Sequence, residues 1–291
     1  MNKLKPLPEE WSGLLNNEQK EAIENINGPL LIIAGAGSGK TRVLTYRYAH
    51  LIKTYGINFE NVLAITFTNK AANEMKDRIS DLLNLELSPK WISTFHSLCV
   101  KMLRIHGHLI GFNNNFTIYD QSDSTKLVRN CMRDSDIDTK QYSPKRIQAH
   151  ISSLKNQRIL PGEAVEFAQS FFDVKVAEIY SSYQKKLMLA NSMDFDDLLI
   201  KAVELLETSD KSLNYWSSKF QYIMIDEYQD TNMVQYRLVE LLASKHKNIC
   251  VVGDSDQSIY AFRGADIRNI EEFESCHLYT SPSPRDEQSS R

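Results

Sequence analysis

The sequence predicts an α/β fold in which a parallel sheet is covered by helices on both faces. Short apolar runs, each followed by a turn and a helical pattern, dominate both ends of the chain. These runs are apolar throughout rather than alternating, which is typical of strands buried on both sides. Residues 111–193 between them carry helical patterns and few strand-like runs. We therefore expect a doubly wound sheet interrupted by an all-helical insertion.

Five apolar runs are the candidate strands. They are Leu30–Ala34, Val62–Thr66, Trp91–Ser93, Tyr222–Asp226 and Ile249–Gly253. A helix is predicted over residues 40–53, and two more are predicted from apolar series at helical spacing. These series are Ala71, Met75 and Ile79 after the second strand, and Leu98, Met102 and Ile105 after the third.

The middle of the chain predicts helices alone. They cover Ser124–Arg133, Pro144–Lys155 and Pro161–Leu189, the last with a candidate break near Phe172. Proline in the first turn is a typical helix-starting signal. The predicted domains are residues 1–110 with 194–277 for the α/β domain, 111–193 for the insertion, and 278–291 for a Ser/Pro-rich disordered tail.

Composition excludes several classes of protein. Of 291 residues, 42% are hydrophobic and 24% charged, which rules out a collagen-like, disulfide-scaffold or wholly disordered chain. The four cysteines are far apart, so reduced thiols are expected rather than a zinc site. No apolar run approaches the roughly 20 residues of a membrane helix, and the start lacks a secretory signal. We expect a cytoplasmic protein with no membrane partner.

The formal net charge of −3 gives no basic excess. Averaged over the whole chain, this charge argues against nucleic-acid binding. The acidity is confined to residues 194–291, which hold 18 Asp and Glu against 10 Lys and Arg. Two clusters of acidic residues in this region are interpreted as solvated faces. They are Asp194, Asp196 and Asp197, and Glu271, Glu272 and Glu274.

The residues from Ala34 to Thr41, Ala-Gly-Ala-Gly-Ser-Gly-Lys-Thr, follow a strand and open a helix, as a phosphate-binding P-loop does. Its glycines let backbone N–H groups turn towards phosphate oxygens, and the helix N-terminus adds partial positive charge. Lys40 can reach the β- and γ-phosphates, and the Thr41 hydroxyl can bind Mg²⁺. Ala34 occupies the first glycine position of the strict pattern. The alternative is a glycine-rich turn that only caps a helix.

Asp226 and Glu227 end a predicted strand. Carboxylates at the carboxyl end of a parallel strand lie beside the phosphate site in such folds. Asp226 would hold Mg²⁺, directly or through water, and Glu227 would polarise the attacking water.

Several further segments resemble the N-terminal half of the UvrD/Rep/PcrA group of superfamily 1 DNA helicases. They are Leu15–Ile23, Thr66–Met75, Thr94–Leu98, Asp194–Leu199, Asp226–Asp230 and Val251–Ala265. The resemblance covers about residues 11–277, with the motifs in the family's order. It implies a RecA-like ATPase domain, called 1A, interrupted by a helical domain 1B, with ATP and Mg²⁺ as cofactors.

The resemblance also implies residue roles in the nucleotide site. Gln19 would contact adenine, Arg42 would help hold the nucleotide, and Gln257 would sense the γ-phosphate. The implied nucleotide-binding set is Gln19, Ala34, Gly35, Ala36, Gly37, Ser38, Gly39, Lys40, Thr41 and Arg42. The implied catalytic set is Lys40, Asp226, Glu227, Gln257 and Arg263, of which Arg263 would link the nucleotide site to the DNA surface.

The implied partners are single-stranded DNA and its junctions with duplex, together with unidentified accessory repair or replication proteins. Binding a single strand requires aromatic platforms for bases, and donors and cations for phosphates. By resemblance, Phe67, Tyr260 and Phe262 would stack on bases, while Thr66, Asn69 and His96 would contact the strand. Phe262 stands where the family often has Trp, which favours weaker stacking. We expect contact along a local groove and movement from 3′ to 5′.

The motifs of the family's second RecA-like domain, whose arginines complete the ATP site, do not occur, and residues 278–291 are interpreted as non-native sequence. We expect the chain to bind Mg-ATP, to hydrolyse it poorly and to unwind nothing alone. Three alternatives stay open. One is a helicase-nuclease of the AddA/RecB type, which the absence of large insertions disfavours. Another is a non-helicase P-loop NTPase, against which Gln257, Tyr260 and Arg263 argue. The third is a non-catalytic DNA-binding module.

Overall fold

The computed structural model describes residues 4–35, 37–84, 89–254 and 273. Its strands are β1 Leu30–Ile33, β2 Val62–Thr66, β3 Ile92–Thr94, β4 Thr117–Ile118, β5 Ser192–Met193, β6 Tyr222–Ile225 and β7 Ile249–Gly253. Its α-helices are α1 Glu9–Ser12, α2 Asn17–Glu24, α3 Lys40–Lys53, α4 Asn69–Leu83, α5 Phe95–His106, α6 Gln121–Asp134, α7 Pro144–Asn156, α8 Phe171–Leu189, α9 Phe195–Thr208, α10 Asp210–Lys219 and α11 Met233–Ala243. Short 3₁₀ helices cover Phe59–Asn61, Gly107–Ile110 and Tyr228–Asp230.

Five strands form one parallel sheet in the order β1-β7-β6-β2-β3. All five predicted strands are present, with bounds that shift by at most one residue. The predicted parallel α/β sheet is thereby confirmed. The order places β1, β7 and β6 side by side, so that their carboxyl ends share one edge of the sheet.

The inner strands are apolar at nearly every position, with Thr66 at the end of β2 as an exception, because both of their faces are covered. Every residue of β2, β6 and β7 is buried. Helix α3 packs Leu44 and Tyr48, and helix α4 packs Met75 and Ile79, into one core with residues of these strands.

The described chain divides into two compact units. Unit 1 draws on Met1–Thr94, Tyr215–Thr231 and Leu242–Arg291, and unit 2 on Phe95–Asn214 and Asn232–Leu241. Unit 1 holds the five-stranded sheet. Unit 2 includes the segment 111–193 together with helices on either side of it. The inserted domain with boundaries at 111 and 193 stays a prediction.

Unit 2 has its own helical core. Helices α6, α7 and α8 pack Val128, Ile147, Ile151, Val176 and further apolar residues against one another. The helix expected from Pro161 begins only at Phe171, where the Ser170 side chain accepts a hydrogen bond from the Asp173 N–H and so caps it.

The structure also adds a short pair of strands to the segment predicted as helical. Strands β4 and β5 pair in parallel, with Thr117 opposite Ser192. Strands of two residues have no periodicity that a sequence pattern could reveal.

The interpretation of the Asp194 group as a solvated face is wrong for two of its members. Asp194 and Asp197 are buried, because Lys155 of α7 lies between them. Its Nζ is 2.7 Å from Asp194 Oδ2 and 2.8 Å from Asp197 Oδ1. The Tyr183 hydroxyl donates to Asp194 over 2.8 Å, and the Gln184 amide donates to Asp197 over 3.0 Å. These carboxylates therefore balance a buried cation.

The second acidic group, Glu271, Glu272 and Glu274, lies outside the described residues. Among the helices that the structure describes, none is both long and apolar enough to span a membrane.

Candidate functional site

The glycine-rich loop connects β1 to α3 at the carboxyl edge of the sheet. Ala34, the first residue of the loop, continues the hydrogen bonding between β1 and β7, since its N–H donates to the Gly253 carbonyl over 3.1 Å. Gly37 and Gly39 have φ values of 75° and 88°, a left-handed conformation that favours glycine. A Cβ at Gly39 would also lie 3.0 Å from Nε2 of Gln19. Ala36 lies outside the described residues.

Gln19 joins the loop to the first turn of α2. Its Nε2 donates to the Ser38 carbonyl over 3.1 Å, and its Oε1 accepts from the Asn16 N–H over 3.1 Å. Asn16 in turn caps the helix, so both residues form a capping box. On α3, the exposed Arg42 guanidinium lies 5.5 Å from the centre of the Tyr46 ring. The structure thus places Gln19 and Arg42 at the two helices that flank the loop.

Lys40 and Thr41 open α3 and meet two carboxylates of the neighbouring strands. The buried Lys40 places its Nζ 2.9 Å from Asp254 Oδ2, directly after β7, and donates to the Ala34 carbonyl over 3.0 Å. The Thr41 hydroxyl donates to Asp226 Oδ2 over 2.8 Å, directly after β6. Residues about 185 positions apart in sequence are therefore in direct contact.

Burial raises the pKa of the Asp226 carboxyl, and the neighbouring Glu227 charge adds to this, while the hydrogen bond from Thr41 opposes it. Glu227 itself has a φ of 51°, which is unusual for a residue other than glycine. Burial, with the Glu227 charge, also raises the pKa of Asp230 to about 6. Three carboxyl groups thus lie close together at the end of β6.

Two residues of this site received no role from the sequence. One is Asp254, the partner of Lys40. The other is Gln229, which is 1% exposed and hydrogen-bonded to Glu227 over 2.8 Å. A signal existed for Asp254, because it follows an apolar strand in the same way as Asp226. Gln229 lies within the quoted segment Asp226–Asp230, but nothing local marks its contacts.

The residues predicted to contact DNA fall into two sets, one in each unit. In unit 1, Thr66 is buried at the end of β2 and donates to the Thr68 carbonyl over 3.1 Å, whereas Phe67 is half-buried and Asn69 is exposed at the start of α4. The buried position of Thr66 favours a structural part for its hydroxyl.

In unit 2, His96 is half-buried, and burial lowers its pKa. Its ring centre lies 5.6 Å from that of Phe195, which is 54% exposed. Phe195 had no predicted role. The sequence feature that could have marked Phe195 is its position as an apolar residue between two acidic ones, Asp194 and Asp196. Four other predicted residues, Gln257, Tyr260, Phe262 and Arg263, lie outside the described residues.

A glycine-rich loop between a parallel strand and a helix, ending in Lys-Thr and facing a carboxylate at the end of a nearby parallel strand, defines a P-loop nucleoside triphosphatase. Comparison with known families narrows this class. Residues 15–277 match the UvrD/REP helicase N-terminal domain, and the chain belongs to this family. The resemblance inferred from the motifs is confirmed.

The chain is also similar to individual relatives. It is 50% identical over 260 residues to the ATP-dependent DNA helicase PcrA of Staphylococcus aureus, and equally so to that of Staphylococcus epidermidis. Each alignment covers 89% of this chain and 36% of the relative. The chain therefore spans about a third of the length of these relatives.

Proposed function

We propose that this chain is the ATP-binding part of an ATP-dependent helicase motor that moves along single-stranded DNA from 3′ to 5′. The observation that carries the proposal is the joint placement of Lys40 and Thr41 against Asp254 and Asp226. A lysine and a hydroxyl at the end of a glycine-rich loop are what β/γ-phosphates and their metal require. The relatives described above are named ATP-dependent DNA helicases.

The chain's own residues would bind the nucleotide as follows. The loop N–H groups would surround the phosphates, and the Lys40 ammonium would exchange Asp254 for a phosphate oxygen. Gln19 and Arg42, on the helices that flank the loop, would hold the base and the rest of the nucleotide. The role of Gln257 at the γ-phosphate and that of Arg263 stay predictions.

The Thr41 hydroxyl and the Asp226 carboxylate are hard oxygen donors only 2.8 Å apart, which suits Mg²⁺, an ion commonly held by one or two protein oxygens plus phosphates. Within the described ranges no group of three or more His, Cys, Asp or Glu could hold a metal by itself. The ion, when bound, supplies charge stabilisation for phosphoryl transfer. Glu227 would accept a proton from the attacking water.

Exposed and half-buried side chains in each unit are candidate contacts for single-stranded DNA. We propose Phe67 and Asn69 as contacts in unit 1, and His96 with Phe195 in unit 2, since an exposed ring is a platform for a base. Tyr260 and Phe262 are further proposed platforms from the sequence. Junctions with duplex DNA and accessory proteins belong to the same proposal.

We expect the chain alone to bind Mg-ATP and to hydrolyse it slowly. Phosphoryl transfer in this class depends on arginines from a partner element, which contribute on the order of 10³–10⁵ in rate. The matching experiment is binding of a fluorescent ATP analogue with Mg²⁺ to the wild type and to Lys40→Ala. The variant should bind at least about tenfold more weakly, since a charge-assisted contact contributes about 1.5–3 kcal/mol.

Lys53→Ala is the matched control, because Lys53 lies at the other end of the same helix and pairs with Glu10 at the surface. It should bind as the wild type does. Equal binding by Lys40→Ala and wild type would refute the nucleotide site.

A further inference from the structure

The side chain of Gln229 joins two parts of the nucleotide site through its two ends. Its Nε2 donates to Glu227 Oε2 over 2.8 Å, and its Oε1 accepts from the Asp254 N–H over 3.0 Å. The residue is 1% exposed, so both bonds are shielded from competing water. A primary amide carries both a donor and an acceptor, so this one side chain can make both bonds at the same time.

Glu227 is a residue whose direction needs such support. Its backbone is left-handed, with φ 51° and ψ 48°, and its N–H donates to Asp226 Oδ1 over 3.1 Å. The side chain beyond that point has three rotatable torsions. A base must present one defined oxygen to its water within hydrogen-bond reach. The bond from Gln229 holds Oε2 and thereby leaves Oε1 as the oxygen that would receive the proton.

The other end of Gln229 reaches the residue that pairs with the P-loop lysine. Asp254 gives its N–H to Gln229 and its carboxylate to Lys40, 2.9 Å away. A single amide therefore connects the carboxylate that would activate water with the partner of the ammonium that would bind phosphate.

We propose that Gln229 is a positioning residue that orients the Glu227 carboxylate for attack of water on the nucleotide. The inference rests on the proposed ATPase function, and it adds a residue that acts through Glu227 rather than on the substrate. The competing explanation is that Gln229 only fills a buried turn, the 3₁₀ helix Tyr228–Asp230.

The first test compares Gln229→Leu with wild type in single-turnover hydrolysis of Mg-ATP by the full chain. Leucine keeps most of the volume and removes both hydrogen bonds. We expect the rate to fall at least about tenfold, a part of the 10²–10⁴-fold that a positioned base contributes. The Kd for the nucleotide should change less than about twofold, because Gln229 lies behind Glu227 and Asp254.

Gln235→Leu is the matched control. Gln235 is also a buried glutamine, 7% exposed, and it exchanges hydrogen bonds with Asn232 at the start of α11. The same substitution there should lower stability to a similar extent and leave the hydrolysis rate unchanged. Equal rates for Gln229→Leu and wild type, or equal losses in both variants, would overturn the positioning role.

The second test is a pH profile of Gln229→Glu. The charged groups around this position are Lys40, Asp226, Glu227, Asp230 and Asp254. When ionised, the new carboxylate repels Glu227 and has no proton to donate. When protonated, it donates one, so the rate relative to wild type should rise as the pH falls from about 8 to about 5. A ratio independent of pH would indicate a packing role only.

The third test needs no hydrolysis. The side-chain NH₂ signal of Gln229, assigned in a nitrogen–proton correlation spectrum by its loss in Gln229→Leu, should exchange slowly with solvent in the wild type. It should exchange faster in Glu227→Ala, which removes the acceptor. Fast exchange in the wild type would overturn the inference even if ATP binds, whereas slow exchange without any ATP binding would refute the proposed function alone.

Discussion

Replacing Lys155 by Met tests whether the buried carboxylates of Asp194 and Asp197 depend on the Lys155 charge for their stability in the fold. The Lys155 side chain is 0% exposed and lies 2.7 and 2.8 Å from the carboxylates of Asp194 and Asp197. Burial alone would lower its pKa, but the two carboxylates outweigh burial and raise it. Met keeps the length of the side chain and removes the charge, so two buried carboxylates lose their cation.

The expected loss in the free energy of unfolding is about 3–5 kcal/mol near neutral pH, the usual cost of removing one partner of a buried pair. Its pH dependence has a defined sign. Burial already raises the pKa of Asp197 to about 6, and Lys155 acts to lower it. Burial acts to raise the pKa of Asp194 as well, but Lys155 and the hydrogen bonds to its carboxylate hold it below the usual value. Without Lys155 the pKa of Asp197 therefore rises further above the unfolded value, and that of Asp194 rises with it. Such groups stabilise the fold when protonated and lose this contribution as pH rises through the folded pKa.

The variant should therefore lose more stability at about pH 8 than at about pH 5, by up to about 1.4 kcal/mol per carboxyl and pH unit. Urea unfolding followed by far-ultraviolet circular dichroism measures the loss. The three tryptophans, Trp11, Trp91 and Trp216, all belong to unit 1, so their fluorescence shows whether unit 1 unfolds at an unchanged midpoint.

Lys201→Met is the matched control, since Lys201 pairs with Glu204 on the outer side of α9 at 19% exposure. It should cost less than about 1 kcal/mol at any of these pH values. A Lys155→Met loss that is equally small, or that grows as the pH falls, would refute the reasoning.

Three further outcomes are expected from the same structure. The pKa of Asp226 is raised, and a ligating carboxylate must be ionised. Calorimetry should therefore show that Mg²⁺ affinity decreases on acidification, and that the decrease begins at a higher pH than an ordinary aspartate would give. Phe195→Ala should weaken binding of a single-stranded oligonucleotide in anisotropy titrations by about 1–3 kcal/mol, while Phe171→Ala, at another exposed ring of unit 2, should not. Gly39→Ala should lower both the melting temperature and nucleotide affinity. Gly56→Ala shares the positive φ but has nothing within 4 Å, so it should lower the melting temperature alone.

The bounds of the strands of unit 1 could be predicted from sequence almost residue by residue, whereas their order in the sheet was not predicted. The bounds of β2, β7 and α3 are those expected. The two strands are largely apolar runs, and the helix directly follows a glycine. In these elements local pattern and burial agree, so no distant information is needed. The pairing of Thr41 with Asp226 could also be anticipated, since parallel strands bring their carboxyl ends to one edge.

The contacts that could not be predicted join side chains with no local signature. An aspartate is rarely buried unless it is paired, so a solvated face was the default interpretation for Asp194 and Asp197. The partner that reverses it, Lys155, is about 40 residues away and looks like any helix-end lysine. The same holds for Gln229, since its partner Asp254 is 25 residues away and directly follows a different strand, β7.

These contacts change the meaning of the acidic last third of the chain. An excess of carboxylates implies repulsion of DNA only where their charges face solvent. Asp194 and Asp197 neutralise Lys155, Asp254 neutralises Lys40, and Asp226 accepts from Thr41. Four of the carboxylates in this region are thus committed to internal partners, and two of them lie where phosphate and metal would compete for those partners. The acidic excess counted for residues 194–291 alone therefore overstates the negative charge of this region, because Lys40 and Lys155, which lie outside it in sequence, cancel part of that charge within the fold.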